Sequence, residues 1–201
     1  MSNLRLFGID DELPDAMRAA ALSQWFTPKR LAQKIARWAN VDGLSVLEPS
    51  AGSGTLATSL FDAGAGFIEA LEIDPRYASV ATRCVDFLTA DVMKHDVVVM
   101  NPPYENGADC AFMERALLFA PRVVALLRLN SLAGLGRYEA VWSKARITRI
   151  AFLVRRPRFE SPLATGGAES DFVVVECVRA DSRALDHTGP QTIEHWTEAW
   201  S

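Results

Sequence analysis

The chain predicts an α/β fold, with a mainly parallel seven-stranded sheet, helices on both faces and a C-terminal antiparallel hairpin. Three observations predict it. Apolar runs alternate with helix-period segments from residue 44 to residue 145, the pattern of right-handed βαβ units. The last two apolar runs, ITRIAFLV and DFVVVECV, are joined by a loop rich in Gly, Ser and Pro, which suits an antiparallel pair. A chain of 201 residues with 49% hydrophobic content can bury a core without disulfides or a metal.

The elements follow in order. Residues 1–24 form a polar N-terminal extension with a short amphipathic piece at 16–22. In WFTPKRLAQKIARWAN, Thr27 is a good N-cap, Pro28 suits the first helical position, and Leu31, Ile35 and Trp38 share one face. Asn40 and Gly43 end that helix. LSVLEPSAGSGTLATSLFDAG reads as strand, Gly-rich turn, helix, and FIEALEIDPRYASVATRCVDFL as strand, turn at Asp74-Pro75, helix. Residues 88–91 are the third strand and HDVVVM the fourth. A helix at 108–120 stops at Pro121, and RVVALLRL is the fifth strand. A helix over 135–145 and the two hairpin strands complete the body, leaving 180–201 as a loose tail on which Trp196 and Trp200 can pack back. The expected organisation is a single domain over 1–201.

Net charge is −4, but the basic residues are concentrated. Nine Arg or Lys stand between Arg122 and Arg158 against one acid, Glu139. Cys84, Cys110 and Cys177 are far apart and odd in number, as in an intracellular protein with reduced thiols, and no CxxC or HxxxH pair suggests a metal. No apolar run has the length of a membrane span, and the N-terminus has no signal-peptide core.

Two places carry chemistry. In LEPSAGSGTLA, Gly52 and Gly54 lie between a strand and a helix, where a ligand can approach backbone N–H groups at a helix N-terminus. There is no third glycine of a dinucleotide fingerprint and no G-K-[ST] of a P-loop. Glu72 ends the next strand, twenty residues after Gly52, where an acid holds ribose hydroxyls, and Ile73 can lie against a purine. Asp91, after the third strand, is placed to accept a bond from an exocyclic amino group. The second place is VVVMNPPYEN. Pro102 and Pro103 fix two φ angles and hold Asn101 extended at a strand's carboxyl end. The Asn101 amide oxygen and the Pro102 carbonyl are then two acceptors aimed at one spot, which suits an –NH2 group, and Tyr104 offers a ring for stacking.

The order of FTP, EPSAGSG, LEID and NPPY resembles that of the class I S-adenosylmethionine-dependent methyltransferases, with their Rossmann-like fold. More closely, the chain is similar to the amino-group DNA methyltransferases that make N6-methyladenine, over about residues 24–178. The resemblance implies S-adenosyl-L-methionine as cofactor. It implies that Phe26, Thr27 and Pro28 line the methionine end, and that Glu48, Ala51, Gly52 and Gly54 frame the amino-acid and ribose parts. Glu72 would hold the ribose, Ile73 the adenine face and Asp91 the adenine amino group, while Asn101, Pro102, Pro103 and Tyr104 form the catalytic pocket beside the cofactor. Two features depart from the family pattern. Val92-Met93 replaces the aromatic that often follows the acid, and no recognisable target-reading domain follows.

By that resemblance the reaction is direct in-line transfer to adenine N6, with the base flipped out of duplex DNA. Tyr104 would stack on the base, Phe159 would be either its opposite wall or an anchor for the late loop, and Arg155, Arg156 and Arg158 would contact phosphates. A partner or a homodimer would supply any sequence reading. The resemblance points to a cytoplasmic, nucleoid-associated enzyme of a bacterium or phage, with no membrane or metal involved. RNA adenine and a protein glutamine amide are the alternative acceptors, since both suit an N-P-P-[YF] corner. A silent binding module is opposed by the intact Gly52, Glu72 and 101–104, and a dinucleotide oxidoreductase by the missing glycine.

Overall fold

The computed structural model describes residues 24–77, 81–160, 170–180 and 192–200. The amphipathic piece expected at 16–22 lies outside them. Among the described residues eight strands form one sheet: β1 Ser45–Glu48, β2 Phe67–Glu72, β3 Arg83–Cys84, β4 Val97–Met100, β5 Arg122–Arg128, β6 Ala145–Leu153, β7 Phe172–Arg179 and β8 Thr192–Trp196. Their order is β3-β2-β1-β4-β5-β7-β6-β8. Strands β1 to β5 pair parallel, while β7 enters antiparallel between β5 and β6. The α/β fold with its parallel sheet and C-terminal antiparallel pair is therefore as the sequence predicts, with one strand more.

Alternation along the strands divides the core. Val97 and Val99 of β4 face one side with Val46, Val124 and Leu126, and helices α1 (Lys29–Ala39) and α2 (Thr55–Asp62) cover them. Val98 and Met100 face the other side with Leu47, Val123 and Leu127, beneath α3 (Ala108–Phe119). A strand buried on both faces reads as a continuous apolar run, which is why VVVM was recognisable. Helix α1 buries Leu31, Ala32, Ile35, Ala36 and Ala39, and Asn40 ends it in the left-handed conformation. The N-cap position falls on Pro28 rather than on Thr27 as expected, so Pro28 precedes the first turn and Thr27 is buried and lines the cavity described below.

Four local expectations are corrected. After Asp74 the chain makes only a 3-10 turn, Pro75–Tyr77, and no α-helix joins β2 to β3 among the described residues. The third strand lies at Arg83–Cys84 rather than 88–91, and Thr82 leads into it by bonds between its Oγ1 and the backbone of Ala70. The segment expected as a helix over 135–145 is a single turn, α4 Leu135–Arg137, running into a π-turn, Tyr138–Trp142. Part of the expected tail is strand β8, paired parallel with β6 from Arg149↔Thr192 to Leu153↔Trp196. Aromatic packing holds it. The Trp196 ring lies 5.7 Å from Trp38 of α1 and 5.9 Å from Trp200, and Glu194 accepts bonds from the indole N–H groups of Trp38 and Trp196 at 2.7 and 2.9 Å.

Strand order reverses between β1 and β4, so the carboxyl ends of β1, β2 and β4 open onto one crevice. Ligands sit at such a point in parallel sheets.

Candidate functional site

A cavity of about 500 Å³ occupies this crevice. Its floor is the turn after β1. Gly52 has φ +53°, a conformation that side-chain-bearing residues rarely adopt, and a Cβ there would meet the Phe26 ring at 2.8 Å. The Gly52 N–H donates to Glu72 Oε2 at 2.7 Å, and the Asp74 N–H donates to Glu72 Oε1 at 2.9 Å. The carboxyl at the end of β2 is thus aimed by two backbone bonds. Burial raises its pKa against the lowering effect of these bonds.

Glu48 ends β1 and is buried, lines the cavity, and has no partner for Oε2. Burial, with the nearby Glu72 charge, holds its pKa well above the ordinary carboxylate value. A buried carboxyl with an unpaired oxygen is costly, and a ligand cation would relieve that cost.

The wall opposite is the segment from Gln24 to Thr27. Gln24 donates to Asp74 Oδ2 at 2.7 Å, and Arg76 chelates the same carboxylate, with Nη2 to Oδ2 at 2.5 Å. Burial pushes the Asp74 pKa up, but the Arg76 and Gln24 bonds outweigh it and hold the carboxyl below its ordinary value. The Phe26 N–H donates to the Glu160 carbonyl at 2.8 Å, and the Glu160 N–H to the Phe26 carbonyl at 3.3 Å. This bridge ties that wall to the arginine-rich run after β6.

At the carboxyl end of β4, Asn101, Pro102 and Pro103 line the same cavity as Gly52 and Glu72. The Asn101 Nδ2 donates to the Trp25 carbonyl at 2.8 Å, and the Ser50 hydroxyl donates to the Asn101 carbonyl at 3.0 Å. The Asn101 Oδ1 accepts the Tyr104 hydroxyl.

Of the residues singled out from sequence, Phe26, Thr27, Glu48, Ala51, Gly52, Glu72, Ile73, Asn101, Pro102 and Pro103 meet on this cavity. Pro28 and Gly54 do not reach its wall. Asp91 is exposed and away from it. Asp86 lines it instead, with Phe87 and Leu88, and its Oδ1 accepts the Leu88 N–H at 2.9 Å. The acid-plus-aromatic pair missing after Asp91 stands five residues earlier, as Asp86-Phe87. A two-residue β3 carries no periodicity that could have announced it.

Tyr104 is the other correction. Its ring is only 6% exposed and is not on the cavity wall. Arg128 covers it at 5.0 Å, Phe172 meets it edge-on at 5.4 Å, and its hydroxyl also reaches the Leu126 carbonyl at 3.1 Å. Phe159 takes the anchoring place of the two left open for it. It is buried in the core, edge-on to Phe172 at 5.0 Å and to Trp25 at 6.5 Å.

Topology also divides the basic tract. Strands β5 and β6 are both antiparallel to β7, so they run the same way and end on the cavity side of the sheet. Arg128, Arg155, Arg156 and Arg158 follow at that edge. Arg128 is paired with Glu105 at 2.8 Å and Arg156 with Asp171 at 2.9 Å, while Arg122 and Arg149 are paired with Glu176 at 3.1 and 2.6 Å, and Lys144 with Glu114 at 2.7 Å.

Comparison with solved structures matches the fold. The M protein of the type I restriction enzyme EcoKI superimposes with a TM-score of 0.67 at 16% identity, over 96% of this chain and 56% of that one. The chain has the class I methyltransferase fold. A Pyrococcus horikoshii protein assigned as an RNA methyltransferase matches with a TM-score of 0.66 at 19% identity, over 79% of this chain and 87% of that one. The magnesium protoporphyrin IX methyltransferase of Synechocystis PCC 6803, solved with bound SAM, matches with a TM-score of 0.54 at 15% identity, over 88% and 89% of the two chains. No protein-family model and no curated protein matches the chain. Among the described residues no helix is long and apolar enough to cross a membrane.

Proposed function

We propose that the protein transfers a methyl group from S-adenosylmethionine to the N6 amino group of adenine in DNA. The observation that carries this reading is the single cavity shared by Gly52, Glu72 and the 101–103 corner. A ribose-type acid, a turn with no room for a Cβ and a pair of amide-type acceptors border one space, as a two-substrate transfer needs. The residues fit the cofactor: Glu72 would hold its ribose, Ile73 and Asp86 its adenine, and Glu48 its positively charged amino-acid end. Bound there, it supplies a methyl group on a cationic sulfur.

The chain's own part is to receive the acceptor nitrogen. The Asn101 oxygen and the Pro102 carbonyl accept its two hydrogens, favouring a nitrogen with a localised lone pair. They stabilise the positive charge that grows there, and the surplus proton leaves to water. Asn101 is fixed for this by the Trp25 carbonyl. The DNA reading is supported by the order of FTP, EPSAGSG and NPPY and by the arginines at the cavity edge. RNA adenine is the second reading, favoured by the close fit of the RNA methyltransferase fold over most of that chain. Tritiated cofactor offered with duplex DNA, RNA and protein in parallel separates them. Label in DNA that maps to N6-methyladenine is expected, and label confined to RNA or protein overturns the DNA assignment.

Two further results are expected. Replacing Arg155 and Arg158 together by alanine should raise the DNA KM and reduce the slope of log K against log salt by about one per lost phosphate contact. An unchanged slope places the polymer elsewhere. The second concerns pH. The raised Glu48 pKa means that the free protein keeps a proton there to higher pH than an ordinary carboxylate does, whereas a bound cation favours the ionised form. Cofactor binding should therefore release a proton, and affinity should rise with pH until the free-state pKa is passed. Without ligand the sign for folding is the reverse: the folded state holds the extra proton, so stability falls as pH rises from the ordinary carboxylate value through the raised one. Calorimetry in buffers of different ionisation enthalpy reads the proton directly, and proton uptake on binding would contradict this role of Glu48.

A further inference from the structure

The corner after β4 suits an amino group but does not choose the ring that carries it. We infer that Asn106 makes that choice, its side-chain amide donating to a ring nitrogen beside the acceptor amino group. The role rests on the proposed transfer to adenine.

Acceptors at Asn101 and Pro102 would receive the –NH2 of adenine, of cytosine, of guanine or of a glutamine side chain alike. Discrimination needs a further group that meets the atoms flanking the amino group. In adenine those are N1 and N7, and both are acceptors. Cytosine presents an acceptor on one flank and a C–H on the other. Guanine presents an N–H beside its amino group, and glutamine has no ring. A donor beside the corner therefore favours adenine.

Asn106 lines the cavity that also holds the 101–103 corner, and it is exposed there. Its neighbour Glu105 is held by Arg128 at 2.8 Å, so the stretch lies between the corner and the arginine edge, on the acceptor side. Asn106 has φ 54° and ψ 26°, the left-handed conformation. Among the described residues the other non-glycine residue there is Asn40, which ends α1. Glycine adopts these angles more readily, and Gly107 follows at φ +77°, so the path of the chain does not itself require a side chain at 106. Nor is the amide used to start α3. The N-cap position of that helix falls on Gly107, and no side chain caps it. The Asn106 amide bonds no other described residue, which leaves its two N–H donors at the rim of the cavity.

The test uses the full chain and random-sequence duplex DNA synthesised with adenine, 7-deazaadenine or 1-deazaadenine. Each analogue replaces one ring nitrogen by C–H and keeps the amino group. Wild type should lose about ten- to a hundredfold in kcat/KM on at least one analogue, the usual effect of a good base contact. Asn106→Gly keeps the left-handed turn and deletes the amide. It should lose a similar factor on adenine DNA, lose little more on that analogue, and bind cofactor within about twofold of wild type. Asn106→Asp also tolerates the turn but offers only oxygens, and should fall at least as far. Near-normal turnover of adenine DNA by Asn106→Gly, an equal analogue penalty in wild type and Asn106→Gly, or a loss confined to the cofactor Kd overturns the inference. Wild type that labels adenine DNA but ignores both analogues removes Asn106 alone. Wild type that labels no adenine DNA overturns the proposed function, and the role of Asn106 falls with it.

Discussion

Asn101→Ala is expected to reduce turnover by about 10² to 10³, the usual cost of losing one preorganised group at the point where charge develops. The cofactor Kd should stay within about threefold, because the turn at Gly52 and the carboxyl of Glu72 do not depend on the Asn101 side chain. The corner itself survives the change. The Ser50 hydroxyl bonds the backbone carbonyl of Asn101, not its amide, and the two prolines still fix the path. The deleted groups are therefore the oxygen that accepts the Tyr104 hydroxyl and the Nδ2 that meets Trp25. Single-turnover kinetics at saturating cofactor, with calorimetry alongside, make the measurement. A variant within tenfold of wild type would remove Asn101 from the chemistry. One that fails to bind cofactor would show that the wall at Trp25 needs the amide to stand.

Gly52→Val is the second large effect, and it acts on binding. At φ +53° a β-branched residue is strained by about 1–3 kcal/mol. The new Cβ would also lie 2.8 Å from the Phe26 ring. That ring cannot simply retreat. Its backbone is bridged to Glu160, and it meets Tyr77 edge-on at 5.1 Å. Either the turn changes, and Gly52 N–H leaves Glu72, or the wall opens. Both outcomes spoil the cofactor side of the cavity, so a loss of about ten- to a hundredfold in cofactor affinity is expected, the strain energy expressed as binding. Circular dichroism should show the sheet retained, since the turn lies outside it. Wild-type affinity in Gly52→Val would mean that the cofactor does not approach this turn.

These predictions rest on features readable at very different levels. The Gly-rich turn and the double-proline corner are local: backbone angles fix them, and glycine and proline announce those angles in the sequence. Their arrival at one cavity also followed from the βαβ pattern, because parallel strands deliver their carboxyl ends to one edge. Asp86 was missed because β3 has only two residues and is defined by its pairing with Leu71 and Glu72. Strand β8 was missed because its partner, β6, lies some forty residues earlier and its stability comes from Trp196 on Trp38, far away in sequence.

Sequence alone determined most of the alternation of strands and helices, the turn at Gly52, the double-proline corner after β4 and the acid at Glu72. Each depends on the conformational limits of a few adjacent residues. Only the tertiary structure decided that Tyr104 is buried behind Asn101, that Phe159 is an anchor, that Asp86 rather than Asp91 lines the cavity, and which arginines follow strands that end on the cavity side of the sheet. Those outcomes depend on neighbours brought from afar, such as Trp25 beside Asn101 across 76 residues. Burial and pairing at that range are set by how whole strands and helices pack, and no short stretch of chain encodes them.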